Sequence, residues 1–253
     1  MSLKKRGKLN QLLRNWPAGT VYTSHWLVRH GIPRDLLLKY RQGGWVESIG
    51  HGAVARSGDK VDWTGGLWAI QNQLELDIHV GAKTALEMRG YAHFVPSGKD
   101  YLIYLVGPLN QKLPGWFMQY RWDVKPRHVM TSLFGESNNL GMAQKDMGTY
   151  RIMISAPERA IMEVLHLVPH ENSFEGAVQL MEGLATLRPS LIQRLLEGCQ
   201  SVKVRRLFMY LAEKHNLPWV GKVNTSKVDF GKGKRVITKG GRFDPKYQIT
   251  VAS

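Results

Sequence analysis

Residues 20–56 read TVYTSHWLVRHGIPRDLLLKYRQGGWVESIGHGAVAR, and their pattern indicates two short helices followed by a hairpin. Thr23 and Ser24 are suited to cap the first helix, because their side-chain oxygens can accept from its free N–H groups. Gly31 ends that helix, and Pro33 suits the first turn of the next one, where its missing N–H would have no partner. Two short helices joined by a tight turn that contains glycine predict a helix-turn-helix.

The second predicted helix has one apolar face and one basic face. Leu36, Leu37 and Tyr40 recur at helical spacing, which predicts that this stripe is buried. The other face can read base edges in the major groove, since Arg and Lys suit guanine and Gln suits adenine. The candidate DNA-binding residues are Arg34, Lys39, Arg41 and Gln42, with Thr23 and Ser24 at the start of the preceding helix. The pattern favours a reader of double-stranded DNA. A protein-interaction module that contacts no nucleic acid is the alternative.

The hairpin after the second helix is typical of a wing. Residues 45–49 and 53–56 have strand character, and Gly50-His51-Gly52 forms the turn between them. We expect His51 at the tip and Arg56 on the return strand to contact the DNA backbone or the minor groove, contributing affinity and little sequence specificity.

A first amphipathic helix precedes this stretch. Leu9, Leu12, Leu13 and Trp16 follow helical spacing and would complete a three-helix unit. The cations before them could follow DNA phosphates as an arm, or they could simply be the solvated start of a helix. These candidate DNA-binding residues are Lys4, Lys5 and Arg6.

The positive charge of the chain is concentrated at its two ends. The net charge is +15 over 253 residues. Residues 1–60 contain eleven Lys and Arg against three Asp and Glu, residues 61–200 contain twelve against fourteen, and residues 201–253 contain twelve against three. Because phosphate neutralisation supplies most non-specific affinity for nucleic acids, a basic surplus on a helix-turn-helix end is the footprint expected of a DNA-binding protein.

The remainder of the chain predicts a mixed α/β domain, with a boundary in the turn-rich residues 57–60. The two predicted domains are therefore 1–60 and 61–253, and the fold class is α+β. Helices are predicted at residues 67–76, 84–89, 174–187, 190–198 and 202–215, strands at 101–106, 116–122 and 149–154, and a loop at 137–148. Many aromatic residues lie in residues 63–122, and most of them should be core.

Ser155-Ala156-Pro157-Glu158 fits the S-x-x-E spacing of a capping box. In this interpretation the Ser155 hydroxyl and the Glu158 carboxylate each bind a free backbone N–H at the start of a helix. That helix should bury a stripe of apolar side chains on one face. The stripe consists of Ile161, Val164, Leu165 and Val168.

The sequence offers no catalytic or metal-binding argument. His166 and His170 have i, i+4 spacing, but Pro169 should end the helix between them and no glutamate follows the first histidine. No D-x-D pair or G-x-S-x-G nucleophile pattern is present. Cys199 is expected to be a buried small hydrophobic residue. We therefore expect no enzyme activity, cofactor or metal.

Neither a signal peptide nor an apolar run long enough to span a membrane is apparent in the sequence. We expect a cytoplasmic protein that does not bind a membrane.

The last segment, residues 221–253, differs in composition from the rest of the chain, because Lys and Arg alternate with Val, Phe and Ile between glycine-rich turns. It predicts one or two exposed, charged β-hairpins. The spacing of its glycines differs from that of a nucleotide-binding P-loop. Its candidate functional cations are Lys232, Lys234, Arg235, Lys239 and Arg242.

Read from end to end, the chain resembles the AbiEi antitoxins of type IV, abortive-infection toxin–antitoxin systems. The resemblance is carried by LLLKYRQGGWVESIGHGAV at residues 36–54, GAKTALEMRGYAHF at 81–94 and SAPERAIMEVL at 155–165, in that order and spacing. The chain departs from the pattern at Ala53-Val54-Ala55, where relatives often have an aromatic residue.

The resemblance implies a phage-defence protein with two roles. An N-terminal winged helix-turn-helix would repress its own promoter by binding inverted repeats in operator DNA. The C-terminal domain would counter a separate nucleotidyltransferase-like toxin, directly or indirectly, and we assign that antitoxicity to the cations of the last segment. The alternatives are a winged-helix transcription factor with a ligand-sensing C-terminal domain and a nucleic-acid-modifying enzyme. The enzyme lacks a carboxylate cluster to support it. A nucleotidyltransferase gene immediately downstream would separate the antitoxin from the plain transcription factor.

Overall fold

The computed structural model describes residues 3–91, 101–135 and 139–252, with side chains from residue 9 onward. Its first part, the winged-helix segment (residues 3–56), contains three helices and three strands. These are α1 (Leu3–Asn15), β1 (Val21–Thr23), α2 (Ser24–Arg29), α3 (Arg34–Gln42), β2 (Val46–Gly50) and β3 (Ala53–Arg56). The predicted winged helix-turn-helix and the α+β fold class are confirmed.

The wing has one strand more than the sequence predicted. β3 lies between β1 and β2 and pairs antiparallel with both, with Val21 opposite Ala55 and Val46 opposite Arg56. Because β1 has three residues, it leaves no alternation pattern that could be recognised in the sequence. The wing is thereby fastened to the strand that leads directly into α2.

The interior of the winged-helix segment contains the predicted helical stripes of α1 and α3. Trp16 stacks on Tyr22 with ring centroids 4.1 Å apart, which joins the end of α1 to β1. Leu27 from α2 and Tyr40 from α3 are completely buried beside them. The cluster consists of Leu9, Leu12, Trp16, Tyr22, Leu27, Ile32, Leu36, Leu37, Tyr40, Val46 and Val54.

A five-stranded mixed sheet forms the centre of the rest of the chain. Its strands are β4 (His79–Val80), β5 (Leu102–Gly107), β6 (Lys125–Met130), β7 (Met142–Asp146) and β8 (Arg151–Ser155), in the order β6-β5-β4-β8-β7. The β5–β6 and β4–β8 pairs are parallel, and the other two pairs are antiparallel.

Helices cover this sheet, and one of them is buried almost all round. They are α4 (Trp63–Asn72), α5 (Ala82–Glu87), α6 (Gly115–Gln119), α7 (Pro157–Leu167), α8 (Phe174–Glu182), α9 (Pro189–Gly198) and α10 (Val202–Lys214). The buried helix is α7, which packs against α5, α8, α9 and α10. The apolar side chains of its predicted stripe are all buried in a core that also takes in Val21 and Ile49 of the winged-helix segment.

Two secondary-structure predictions are wrong. Residues 116–122 were expected to form a strand, but Trp116 and Phe117 lie in helix α6, which Pro114 begins as N-cap. Burial of the aromatic rings outweighs their β propensity there, and the Trp122 indole N–H donates to the Phe117 carbonyl at 2.7 Å. The predicted loop at residues 137–148 contains strand β7, whose polar composition suits the exposed edge of a sheet.

The predicted capping box at the start of α7 is also wrong. Ala156 is the N-cap, so the N-cap residue makes no side-chain hydrogen bond, and Pro157 opens the helix. The Ser155 hydroxyl donates instead to the Glu163 carboxylate at 2.9 and 3.0 Å. Glu158 accepts from Arg188, at 2.9 Å from both its backbone N and its Nε. Both side chains are drawn into tertiary contacts that sequence spacing cannot reveal.

The C-terminal end forms a small sheet from β9 (Arg235–Val236), β10 (Arg242–Asp244) and β11 (Ile249–Val251). β10 and β11 make the predicted antiparallel hairpin, but β9 pairs parallel with β11 and so does not form a second one. Ile237, Ile249 and Val251 are buried in the main core. We call residues 229–252 the basic tail.

Across the three described ranges, no helix is both long and apolar enough to cross a membrane. In those same ranges, no three His, Cys, Asp or Glu side chains are placed to share a metal ion. Helix α7 ends at Leu167, before Pro169, as the sequence predicted for the region between His166 and His170.

Candidate nucleic-acid interface

Helices α2 and α3 are set at their positions by local hydrogen bonds. Thr23 is the N-cap of α2, and its Oγ1 accepts from the N–H of Trp26 at 3.3 Å. At the other end Gly31 has φ +81°, and the Ile32 N–H donates to the Leu27 carbonyl at 2.9 Å, which turns the chain into α3. The turn therefore depends on a residue without a Cβ.

Helix α3 presents its polar residues to solvent. Leu36, Leu37 and Tyr40 are buried, as their spacing predicted. The four candidate contact residues are exposed, and none has a hydrogen-bond or ion-pair partner within the part of the chain that the structure describes. They are Arg34, Lys39, Arg41 and Gln42. Three cations with no internal carboxylate can neutralise phosphates or bind guanine edges without breaking an existing contact.

Two apolar side chains on this surface were not identified from the sequence. Leu38 is 52% exposed and lies one turn from both Arg34 and Gln42 on α3. Trp45, which follows α3, is 48% exposed. The available signal was that Leu38 falls outside the buried stripe although it is the same residue type as its two neighbours. An exposed Leu between polar residues of a recognition helix can contact a thymine methyl group.

The structure places the two predicted wing residues in different situations. His51 lies exposed in the turn at the wing tip. Arg56 is half-buried, and its Nε and Nη2 both lie 3.0 Å from Asp59 Oδ1. The other Asp59 oxygen accepts from the Gly19 N–H at 2.9 Å. Arg56 therefore has a carboxylate partner within the chain, and a phosphate would have to compete with it.

Thr23 and Ser24 hold the interface in place more than they line it. Thr23 is only 2% exposed, and its N–H and hydroxyl both donate to Gln73 Oε1, at 2.7 and 3.1 Å. The Ser24 N–H donates to the Gly52 carbonyl at 2.8 Å, which ties α2 to the wing turn. Lys4, Lys5 and Arg6 belong to the backbone of α1, but their side chains lie outside the described residues.

The winged-helix segment is joined to the rest of the chain at its wing sheet. Gln73 closes this junction, because its Nε2 donates to the Val21 carbonyl at 3.1 Å while its Oε1 accepts from Thr23. The turn end of the wing packs against α6, because a Cβ on Gly50, the residue before His51, would come within 3.1 Å of Trp116 Cβ. These contacts leave α3 facing solvent.

The basic tail is a second cationic surface. Its candidate residues Lys232, Lys234, Arg235, Lys239 and Arg242 are all exposed. Two apolar side chains, Val236 and Phe243, are exposed among them, and Lys234 Nζ lies 5.1 Å from the centre of the Phe243 ring. The tail packs on α10, while the winged-helix segment packs on α4 and α6.

A buried polar cluster lies between α5, α7 and β8. The Glu163 carboxylate accepts from Arg159 Nε at 2.7 Å and from the Ala82 N–H at 2.9 Å, and it lies 3.1 Å from His79 Nε2. Burial opposes ionisation of Glu163, but the hydrogen bond and charge of His79, the charge of Arg159 and the Ala82 N–H outweigh it and lower its pKa to about 2. The Glu163 carboxylate is shared by Arg159, Ala82 and His79, so we assign the cluster a structural role.

Cys199 is buried, as predicted, and burial raises the pKa of its thiol to about 11. A thiol with so little thiolate at neutral pH is unreactive, which agrees with a structural role.

Comparison with solved structures gives a fold relative. The crystal structure of the RV2827C protein from Mycobacterium tuberculosis matches with a TM-score of 0.60 and 17% sequence identity, covering 98% of this chain and 92% of that one. At this identity the likeness shows the fold alone. A search of the curated proteins gives no match.

Comparison with family models covers the chain almost completely. A model described as transcriptional regulator, AbiEi antitoxin N-terminal domain matches residues 5–97. A second model, described as transcriptional regulator, AbiEi antitoxin, type IV TA system, matches residues 101–252. The chain therefore belongs to the AbiEi antitoxin family, whose members are transcriptional regulators of type IV toxin–antitoxin systems.

Proposed function

We propose that this antitoxin represses its own promoter by binding operator DNA with helix α3, and that its basic tail counters a nucleotidyltransferase-like toxin. The observation that carries the first half is the exposed face of α3, where three cations and Gln42 have no partner within the described chain. Cations held at the surface of a rigid helix by a buried apolar stripe are the usual arrangement of a recognition helix.

In this proposal α3 reads bases and its surroundings bind the backbone. Arg34, Lys39, Arg41 and Gln42 reach base edges, and Leu38 contacts a thymine methyl group between them. His51 at the wing tip contacts backbone phosphate or the minor groove. Binding to inverted repeats requires two copies of the winged helix, one on each half-site.

Arg56 and the other predicted contacts have supporting roles. Arg56 exchanges Asp59 for a phosphate, which makes its contribution smaller than that of a free cation. Thr23 and Ser24 act mainly by positioning α2 and the wing. Lys4, Lys5 and Arg6 follow the phosphates beside the operator as an arm.

Antitoxicity is assigned to the exposed cations of the basic tail. The tail packs on α10, whereas the winged helix packs on α4 and α6, and this separate attachment suits a partner other than the operator. The cations are Lys232, Lys234, Arg235, Lys239 and Arg242. Either the toxin itself or its nucleic-acid substrate binds to this surface.

Operator binding tests the first half of the proposal. The full chain carrying Arg34→Ala, Lys39→Ala and Arg41→Ala should bind a fragment of its own promoter at least 100-fold more weakly in fluorescence anisotropy, because each good base contact contributes roughly 1–3 kcal/mol. The matched control is Lys112→Ala, Lys145→Ala and Arg194→Ala, which removes the same charge from two exposed positions and one half-buried position outside both basic ends. Equal weakening in the two variants, or none in the first, would refute the assignment of α3.

A further inference from the structure

A buried cation without an ion-pair partner among the described residues lies against the basic tail. Arg206 of α10 is only 2% exposed. Its guanidinium donates to four carbonyls, those of Phe230 and Gly233 at 2.6 Å, Gly231 at 3.0 Å and Gln248 at 3.3 Å. No carboxylate lies within ion-pair distance of it in the part of the chain that the structure describes. Its hydrogen-bond partners are carbonyl dipoles and Asp229 acts on it only from a longer distance, so positive potential remains at its site.

Arg206 also fixes which way the neighbouring loop points its amides. A trans peptide directs its C=O and N–H to opposite sides, so the carbonyls of Gly231 and Gly233 that face Arg206 send the N–H groups of Lys232 and Lys234 away from it. Within the described residues neither of these two N–H groups has an acceptor. Gly231 has φ +63° and Gly233 has φ +76°, with Lys232 between them at negative φ. Such alternation can group N–H donors into an anion-binding concavity. The Gly231 N–H already donates to Asp229 Oδ1 at 2.7 Å, so the donors left for an anion are those of Lys232 and Lys234.

A cavity opens beside this loop and is large enough for part of a ligand. Its volume is about 470 Å³, and Lys232, Gly233 and the half-buried Phe230 line it together with the Thr225 and Ser226 segment. Lys246 at its rim is already bound to Glu213 at 2.7 Å, whereas the Lys232 ammonium has no such partner among the described side chains. The site thus combines peptide N–H donors, a free cation, a buried positive charge and an aromatic wall.

We propose that the Gly231–Lys234 loop is a phosphate-binding site and that the adjacent cavity takes the nucleoside attached to that phosphate. The phosphate is held by the N–H groups of Lys232 and Lys234 and by the Lys232 ammonium, and the base stacks on Phe230. The ligand is a nucleotide, either free or at the phosphorylated end of an oligonucleotide. This inference deepens the role proposed for the basic tail, since it gives the tail a defined ligand chemistry.

The first experiment identifies the ligand by calorimetry on the full chain. The probes are inorganic phosphate, uridine 5′-monophosphate, and a triuridylate with or without a 5′-phosphate. Saturable binding at least tenfold tighter than that of inorganic phosphate is expected. The mononucleotide shows it if the source is a free nucleotide, and only the phosphorylated trinucleotide shows it if the source is a chain end. Equally tight binding of the trinucleotides with and without a 5′-phosphate, or no probe binding more tightly than inorganic phosphate, overturns the proposal.

Matched variants test the loop itself. Gly233→Ala should lower the affinity for the better-binding probe at least tenfold, because a side chain is strained at positive φ and would distort the loop. Gly240→Ala introduces the same strain at φ +71° elsewhere in the tail and should change that affinity less than twofold. Lys232→Gln should also lose at least tenfold, with Lys222→Gln as the exposed control. A loss shared by variant and control reflects general strain or charge and refutes the site.

A spectroscopic measurement keeps the proposal testable if Gly233→Ala unfolds. In ¹⁵N-labelled wild-type protein, the better probe should shift the Lys232 and Lys234 amide protons downfield more than any other amides of the tail. Unmoved amides overturn the site. Operator binding and protection from the toxin, measured on the same variants, are separate readouts. If the wild type binds no nucleotide, and the variants still bind the operator and still protect from the toxin, the phosphate site is refuted and the proposed function stands.

Discussion

At the scale of single residues, Glu163 is the most heavily engaged side chain of the core. It joins Arg159 of its own helix to Ser155 of β8 and to the N–H of Ala82. Ala82 has φ +47°, a conformation that costs a residue with a side chain roughly 1–2 kcal/mol, and the carboxylate holds its N–H in that position. The predicted cap at Ser155 is therefore one arm of a network that links three elements.

Replacing Glu163 by Gln should lower the free energy of unfolding by about 3 kcal/mol, because the buried Arg159 guanidinium and the Ala82 N–H would lose the negative charge that they both contact. Urea denaturation monitored by circular dichroism measures this change. Glu197→Gln is the control, because the same isosteric change at an exposed position should stay within about 0.5 kcal/mol. Similar small losses for both variants would show that the network contributes little.

The same carboxylate should give the protein a specific acid sensitivity. Its pKa is lowered from 4.5 in the unfolded chain to about 2 in the folded one, so its stabilisation is fully present above pH 4.5 and is lost as the pH falls towards 2. Over that interval the wild type should lose about 3 kcal/mol more stability than Glu163→Gln does. Parallel stability curves for the two proteins between pH 5 and pH 2 would contradict the lowered pKa.

At the scale of secondary-structure elements, the sequence predicted best where burial falls on one face only. Helix α3 shows this, because its stripe of Leu36, Leu37 and Tyr40 repeats at helical spacing and its other face is polar. Helix α6 shows the opposite case, since five residues of mostly apolar and aromatic character have no periodicity to separate helix from strand. The sequence missed strand β1 and misassigned the cap because the contacts involved are tertiary: β1 pairs with β3, Ser155 binds Glu163 and Glu158 binds Arg188.

The same limit applied to the candidate nucleic-acid interface and the basic tail: exposure was predictable from helical spacing, and tertiary contacts were not. Exposure of Arg34, Lys39 and Arg41 followed from the helical period, because each lies off the buried stripe. The pairing of Arg56 with Asp59, the burial of Thr23 against Gln73 and the carbonyl cage of Arg206 are tertiary contacts. Neither composition nor spacing contains information about them.

Gln73, at the end of α4, joins that helix to the winged-helix segment through hydrogen bonds. Gln73→Leu should lower the free energy of unfolding by about 3 kcal/mol, because the buried Thr23 N–H and Val21 carbonyl lose their partner. Urea denaturation measures it, with the exposed Gln179→Leu as control. Operator binding should weaken as well, since β1 leads into α2. Wild-type stability in Gln73→Leu would mean that the apolar contacts at this junction suffice alone.

At the scale of the whole molecule, charge is divided between two basic ends and a near-neutral middle. The structure attaches the ends to different core elements, the winged helix to α4 and α6 and the basic tail to α10. We infer that the two surfaces serve different partners, DNA at α3 and the toxin or its substrate at the tail. If instead they formed one track along a duplex, both would contribute phosphate contacts to operator affinity.

The dependence of operator affinity on salt distinguishes these arrangements most directly. On duplex DNA each phosphate contact that is removed lowers the slope of log affinity against log salt by about 0.9. We expect Lys232→Ala, Lys234→Ala and Arg235→Ala together to leave the slope unchanged within about 0.3 while protection from the toxin falls, and the Arg34, Lys39 and Arg41 triple variant to lose at least 100-fold in affinity. A tail variant whose slope falls by two to three units with protection intact, beside an α3 variant with normal operator affinity, would contradict the account.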